Sequence, residues 1–156
     1  MLCDEHLRWM PRHISILLSA SLERKNIETW NEDSKKLKNH PWAVWASESL
    51  DNFWWLASLG KEICVEYSIR HSKYHHPQEG DIDHSWYMAR GDIEWPHATF
   101  TPLPQCVPEK YKSDNAIETY RLYYLNHVIQ VAPASWRKNR KAPEWWARLV
   151  KPDRNL

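Results

Sequence analysis

The chain has 156 residues, with 21 Lys and Arg against 20 Asp and Glu, for a formal net charge of +1. That length suits one domain able to bury a core without staples, and the balanced charge excludes a polycation that would bind nucleic acid over its whole surface. Three Gly and no G-x-G-x-x-G or GK[ST] string leave no Rossmann or P-loop nucleotide site, so no cofactor is expected.

Residues 4–22 carry Leu7, Met10, Ile14, Leu17 and Leu18 at helical spacing, which predicts a first helix with Asp4 as N-cap. Pro11 should kink this helix or mark its true first turn. Residues 23–40 are polar, with the run Lys35-Lys36-Leu37-Lys38-Asn39, and read as a loop holding a short helical turn. His40-Pro41 punctuates the chain, and a second helix is predicted over 42–59, with Gly60 breaking it or sitting in a bend. A third follows over 61–72, with Ile63, Tyr67 and Arg70 along one stripe. His, Pro, Asp and Gly then crowd the chain, and residues 73–112 read as an irregular but ordered surface loop system. Ser113 or Asp114 is the expected cap of a helix over 114–131, with Ile117, Tyr120, Tyr124 and Val128 in period. The segment 133–156 is aromatic and basic, with a short terminal helix after Pro143. Strand signals are weak. The expected fold class is therefore mainly α, a compact single-domain helical fold with a long irregular central loop region.

Eleven Trp are set in groups, Trp42 with Trp45, Trp54 with Trp55, and Trp145 with Trp146. A Trp offers a large apolar face and one N–H donor, so it serves core packing, base stacking or partner recognition alike. With only two Phe present, packing is the default. The C-terminal Arg137, Lys138, Arg140, Lys141, Arg148, Lys151 and Arg154 are interrupted by Glu144 and Asp153 alone. Such a stretch attracts phosphate or simply stands solvated.

The nine His invite a metal reading, since His71 and His75 are one helical turn apart and His76, Asp81, Asp83 and His84 follow. No Glu stands between the first pair in metalloprotease fashion, and His-rich loops are common without metal, so no ligand set is assigned. Three widely spaced Cys without C-x-x-C read as reduced thiols, and Cys64 in an apolar helical run reads as inert. Glu66, Tyr67, Arg70, Lys73 and His75 form a polar stripe. Its plain reading is a Glu66–Arg70 i, i+4 helix pair. Its functional reading is an anion clamp, with Arg70 and Lys73 on phosphate and Tyr67 stacking or donating. No run approaches the roughly 18 apolar residues of a membrane span and no signal peptide is evident, so a soluble cytoplasmic protein without a membrane partner is expected.

Several strings resemble a family of small bacteriophage proteins. They are Cys3-Asp4-x-His6, Met10-Pro11, Leu17-Leu18-Ser19, His40-Pro41, Trp45, Glu48-Ser49, Asn52 and Trp55-Leu56. Glu66-Tyr67-x-x-Arg70-x-x-Lys73-x-His75, Thr101-Pro102, Pro108, Tyr120-Arg121-x-Tyr123-Tyr124, Trp136 and Pro143-x-Trp145-Trp146 complete them in order. That family in turn is distantly similar to the phage endonuclease V type of pyrimidine-dimer DNA glycosylase. The resemblance implies a small helical enzyme whose N-terminal amine attacks the sugar carbon, assisted by a Glu on the first helix, with strand cleavage through a Schiff base. His13 stands seven residues past His6 where the related phage proteins show that Glu. The chain also opens almost directly on Cys3-Asp4, without the short segment that carries the amine in those enzymes. Either the start has been set too late or this member lacks the nucleophile.

The resemblance implies a phage DNA-acting protein of the infected bacterial cytoplasm, of the glycosylase/AP-lyase kind, acting on a damaged or modified base. His6 and His13 are the candidate catalytic residues. Asp4, Glu66, Tyr67, Arg70, Lys73 and His75 are the candidate substrate or DNA contacts, and Trp145 and Trp146 the stacking or wedge residues. The alternative is a non-catalytic phage accessory protein that binds DNA or a host protein through Trp-rich and basic surfaces. An enzyme should gather the titratable residues about one concavity, whereas a binder should present an aromatic or basic face.

Overall fold

A computed structural model describes residues 2–74, 76–126 and 134–149 of the chain, without the side chains of 147–149. The structure is mainly helical. Helix α1 spans Asp4–Arg24, α2 Ser34–Leu37, α3 Pro41–Ala46, α4 Leu50–His71, α5 Glu79–Met88, α6 Ala116–Asn126 and α7 Glu144–Leu149. Among the described residues the only strand-like pairing is one parallel bridge between Ser49 and His97.

Helix α1 is the organising element, packed most extensively on α4 and touching α2, α3 and α5. Its buried residues Leu7, Ile14, Leu17, Leu18 and Leu22 meet Phe53, Leu56, Ala57, Ile63 and Cys64 of α4 in one core. Pro11 lies inside the helix and is itself buried. Trp45 is buried in this core, with Trp42, Trp54, Trp86 and Trp95 half-buried against it. Those tryptophans pack, whereas Trp9 and Trp30 are 61 and 55 % exposed.

The boundaries differ from expectation in four places. The helix expected over 42–59 is two helices, separated at residues 47–49. Ser47 Oγ turns back to the Val44 carbonyl at 2.7 Å, while Ser49 Oγ caps α4 by accepting from the Asn52 amide at 3.2 Å. Short hydroxyl side chains that satisfy backbone groups locally end one helix and start the next. Gly60 neither breaks nor bends α4 out of helix, which runs unbroken from Leu50 to His71. A Cβ at Gly60 would stand 2.9 Å from both Ile14 Cγ2 and Ile82 Cδ1, so the missing side chain is what lets α1 and α5 approach α4.

The stretch expected to be irregular contains α5, anchored by buried Ile82, Ser85 and Ala89. Its first turns, Glu79-Gly80-Asp81-Ile82-Asp83-His84, are too polar to show an apolar period. The cap of α6 is Asn115, not Ser113 or Asp114, because Asn115 Oδ1 accepts from the Ile117 amide at 2.9 Å. Ser113 Oγ instead receives the Asn115 amide at 3.2 Å. The end of the helix expected over 114–131 lies outside the described residues, as does His75. No helix among the described residues is long and apolar enough to cross a membrane.

Candidate functional site

The start of α1, the end of α4 and the segment 134–140 meet at one seam. Arg70, near the C-terminus of α4, is its centre and is 1 % exposed. Its Nε donates to Glu66 Oε1 at 2.6 Å, and Nη1 donates to the Leu2 carbonyl at 2.9 Å and Asp4 Oδ1 at 3.2 Å. Glu66 Oε2 accepts from Arg140 Nη2 at 2.9 Å. Asp4 is also received by the C-terminal segment, since its carboxylate accepts from Ser135 Oγ at 2.8 Å and the Arg137 amide at 3.1 Å. The Asp4 amide donates to the Ser135 carbonyl at 2.9 Å. Burial works to raise the Asp4 pKa, but these donors and the Arg70 charge together hold it below the usual carboxylate value. Asp4 is thus the first helical residue of α1 and the anchor of the C-terminal segment, not the N-cap. Cys3 takes the cap position.

Beside this seam Cys3, His6 and Tyr124 form a second group. His6 Nδ1 lies 2.6 Å from the Tyr124 hydroxyl and 3.1 Å from Cys3 Sγ, and the Cys3 amide donates to the same hydroxyl at 3.0 Å. Burial pushes the Cys3 thiol up, but the bonds to His6 and Tyr124 and the His6 charge bring it down to about 7. Burial drives the Tyr124 hydroxyl well above its ordinary value. The arrangement sets the Cys3 thiol against the His6 ring, although Cys3 itself is only 2 % exposed.

His13 stands elsewhere. It is exposed, its ring lies 6.0 Å edge-on from His40, and it lines an open groove of about 420 Å³ with Trp9, Met10, Arg12 and Ile16. His6 and His13 therefore do not converge, while His6 and Arg70 both address residues 2–4. Tyr67 packs against His71 at a tilt and His76 edge-on, with centroids at 4.6 and 4.5 Å, and Lys73 is exposed. Two further residues of the metal reading have separate partners. His84 packs on Trp30 at 3.8 Å, and Asp83 pairs with Lys61 at 2.6 Å. Among the described residues no three His, Cys, Asp or Glu gather in a way that could hold a metal.

Trp145 and Trp146 lie edge-on to each other at 6.1 Å, and both meet Tyr124. Trp146 packs edge-on against Trp136, with centroids 5.0 Å apart. Trp145 lines an open groove of about 370 Å³ between α6 and α7, together with Tyr111, Lys112, Ser113, Glu118, Thr119, Arg121 and Leu122. Arg121 lies over the Trp145 ring at 5.7 Å and Lys110 over the Tyr111 ring at 4.9 Å. Tyr111, Lys112 and Arg121 were missed as candidates in the sequence, because a lone basic residue beside an aromatic one carries no spacing signal. Comparison with family models, curated proteins and solved structures finds no match to this chain.

Proposed function

We propose that this protein binds DNA without cleaving it, through the α6–α7 groove and the basic segment beside it. The observation that carries the reading is the pairing of cations with aromatic faces in that groove, Arg121 with Trp145 and Lys110 with Tyr111. Lys112 and Arg121 are exposed for phosphate contact, and Arg137, Lys138 and Lys141 are exposed on the segment leading into α7. Aromatic platforms stack bases of any sequence while the cations track the backbone, so this surface suits strand binding with little sequence preference. Glu118 is the one carboxylate of the groove lining.

The separation of His6 from His13 favours the binding reading over a glycosylase/lyase, whose acid–base residues must reach one reacting atom. The resemblance to phage proteins supplies the setting, the cytoplasm of an infected bacterium. Host-protein capture is the competing occupant of the same aromatic surface.

The test is binding of the full chain to a labelled oligonucleotide across a salt series, alongside the double variant Lys112→Glu/Arg121→Glu. Two lost phosphate contacts should lower the slope of log K against log salt by about 2 and weaken binding about uniformly across sequences. Unchanged affinity in the double variant would remove the groove from the reading. Borohydride trapping on duplex DNA with an abasic site should give no adduct, and an adduct would restore the lyase.

A further inference from the structure

The seam at Arg70 has more donors than acceptors. Arg70 Nη2, Arg140 Nε and Trp136 Nε1 are all buried, and none has a hydrogen-bond partner among the described residues. Each is a group that can only donate. Both guanidiniums already hold the same carboxylate, Arg70 on Glu66 Oε1 and Arg140 on Glu66 Oε2, so their leftover N–H groups belong to one cluster about Glu66. Trp136 belongs to the same segment, next to Arg137, whose amide is fixed on Asp4.

Charge is out of balance in the same sense. The carboxylates of Asp4 and Glu66 face the guanidiniums of Arg70, Arg137 and Arg140, with Arg137 Nε 3.8 Å from Asp4. Buried donors left unmade are costly, and each of the three can be met only by an acceptor. A water molecule has lone pairs for two of them. An oxyanion has an acceptor for each, because its several oxygens accept from a guanidinium fork and an indole N–H together.

We propose that the seam between the end of α4 and residues 134–140 is a binding site for one oxyanion of the phosphate class, held by Arg70 Nη2, Arg140 Nε and Trp136 Nε1. Entry is on the side of Arg140 and Arg137, whose side chains are 36 and 68 % exposed, while Arg70 forms the closed floor. The anion is either a free phosphate or the phosphate of a nucleic-acid strand, and the chemistry that recognises it is the same. The site goes beyond the groove proposed above and stands without it.

The experiment is titration of inorganic phosphate into the full chain at constant ionic strength, chloride making up the balance, read by tryptophan fluorescence and by melting temperature. A saturable change in both is expected, absent in chloride alone. Trp136→Phe keeps a ring but removes the Nε1 donor, and Arg140→Gln removes one fork. Each should weaken phosphate about tenfold or more, the scale of one charge-assisted bond. Arg90→Gln, at the exposed turn after α5, should leave phosphate affinity unchanged. If either variant fails to fold as the parent by circular dichroism, the other carries the test. A linear response shared with chloride, or parental affinity in Trp136→Phe and Arg140→Gln, overturns the site.

Competition separates the sources. Displacement of phosphate by a 5′-phosphorylated oligonucleotide but not its 5′-hydroxyl twin assigns the site to a strand end, and displacement by both assigns it to the strand backbone. Displacement by neither leaves a free-anion site. DNA binding that persists without saturable phosphate binding ends this inference and spares the groove.

Discussion

Asn52 and Arg70 are two buried polar side chains that each tie a distant segment to α4, and they close differently. Asn52 is 0 % exposed at the junction of α3 and α4. Its Nδ2 donates to the Trp45 carbonyl and to Thr101 Oγ1, both at 2.8 Å, and its Oδ1 accepts from the Thr101 amide at 2.9 Å. Trp45 Nε1 adds a bond to the Thr101 carbonyl at 3.2 Å. Every polar group there has a partner, and every partner is neutral. Arg70 is as deeply buried but leaves Nη2 unused and depends on two carboxylates. The neutral tie is finished by the chain itself. The charged one remains open to ligands and solution conditions, which is why the candidate chemistry gathers there.

The comparison breaks first at Arg70. Arg70→Ala leaves Asp4 and Glu66 without their buried cation and frees the Leu2 carbonyl. It should destabilise the fold by about 3–5 kcal/mol, measured as the shift in urea midpoint. Asn52→Ala strands the Thr101 amide but no charge, and should cost about 1–3 kcal/mol. Equal losses in the two variants would mean that charge contributes nothing special at the seam. Raised salt sharpens the contrast, because it should narrow the Arg70 deficit slightly and leave that of Asn52 unmoved.

The helical class was legible in the sequence because α1 repeats its apolar residues over 21 residues, long enough for period to outweigh noise. His40-Pro41 was readable as a helix start, and the structure adds that His40 Nδ1 accepts from the Trp42 amide. The break at 47–49 and helix α5 were not legible. One rests on two serine side chains turning to the backbone, and the other on a few apolar anchors in a polar stretch. Glu66 and Arg70 were visible as a helix pair, but their bonds to Asp4 and Arg140 cross 66 and 74 residues of chain and follow only from the packing. Cys3 gave no sign of its partners, since Tyr124 reaches it only after α6 has crossed back to the start of α1.

That last contact yields the smallest and most specific effect. Burial alone drives a thiol upward, as at Cys64, pushed up to about 12 with the charges of Glu79 and Asp83 adding to the push. Cys3 is buried as well, yet His6 and Tyr124 bring it to about 7. Alkylation of Cys3 by iodoacetamide, followed by peptide mass, should therefore rise through pH 7 while Cys64 stays unreactive across the neutral range. The sign for stability follows by linkage. An acid whose folded pKa lies below its ordinary 9.0 adds stability that is complete above that value, shrinks from pH 9 toward 7 and is lost below. Replacing His6 with Ala removes one partner but neither the burial nor Tyr124, so the Cys3 inflection should move up from about 7. A parental inflection in His6→Ala would show that Tyr124, and not the imidazole, holds the thiolate.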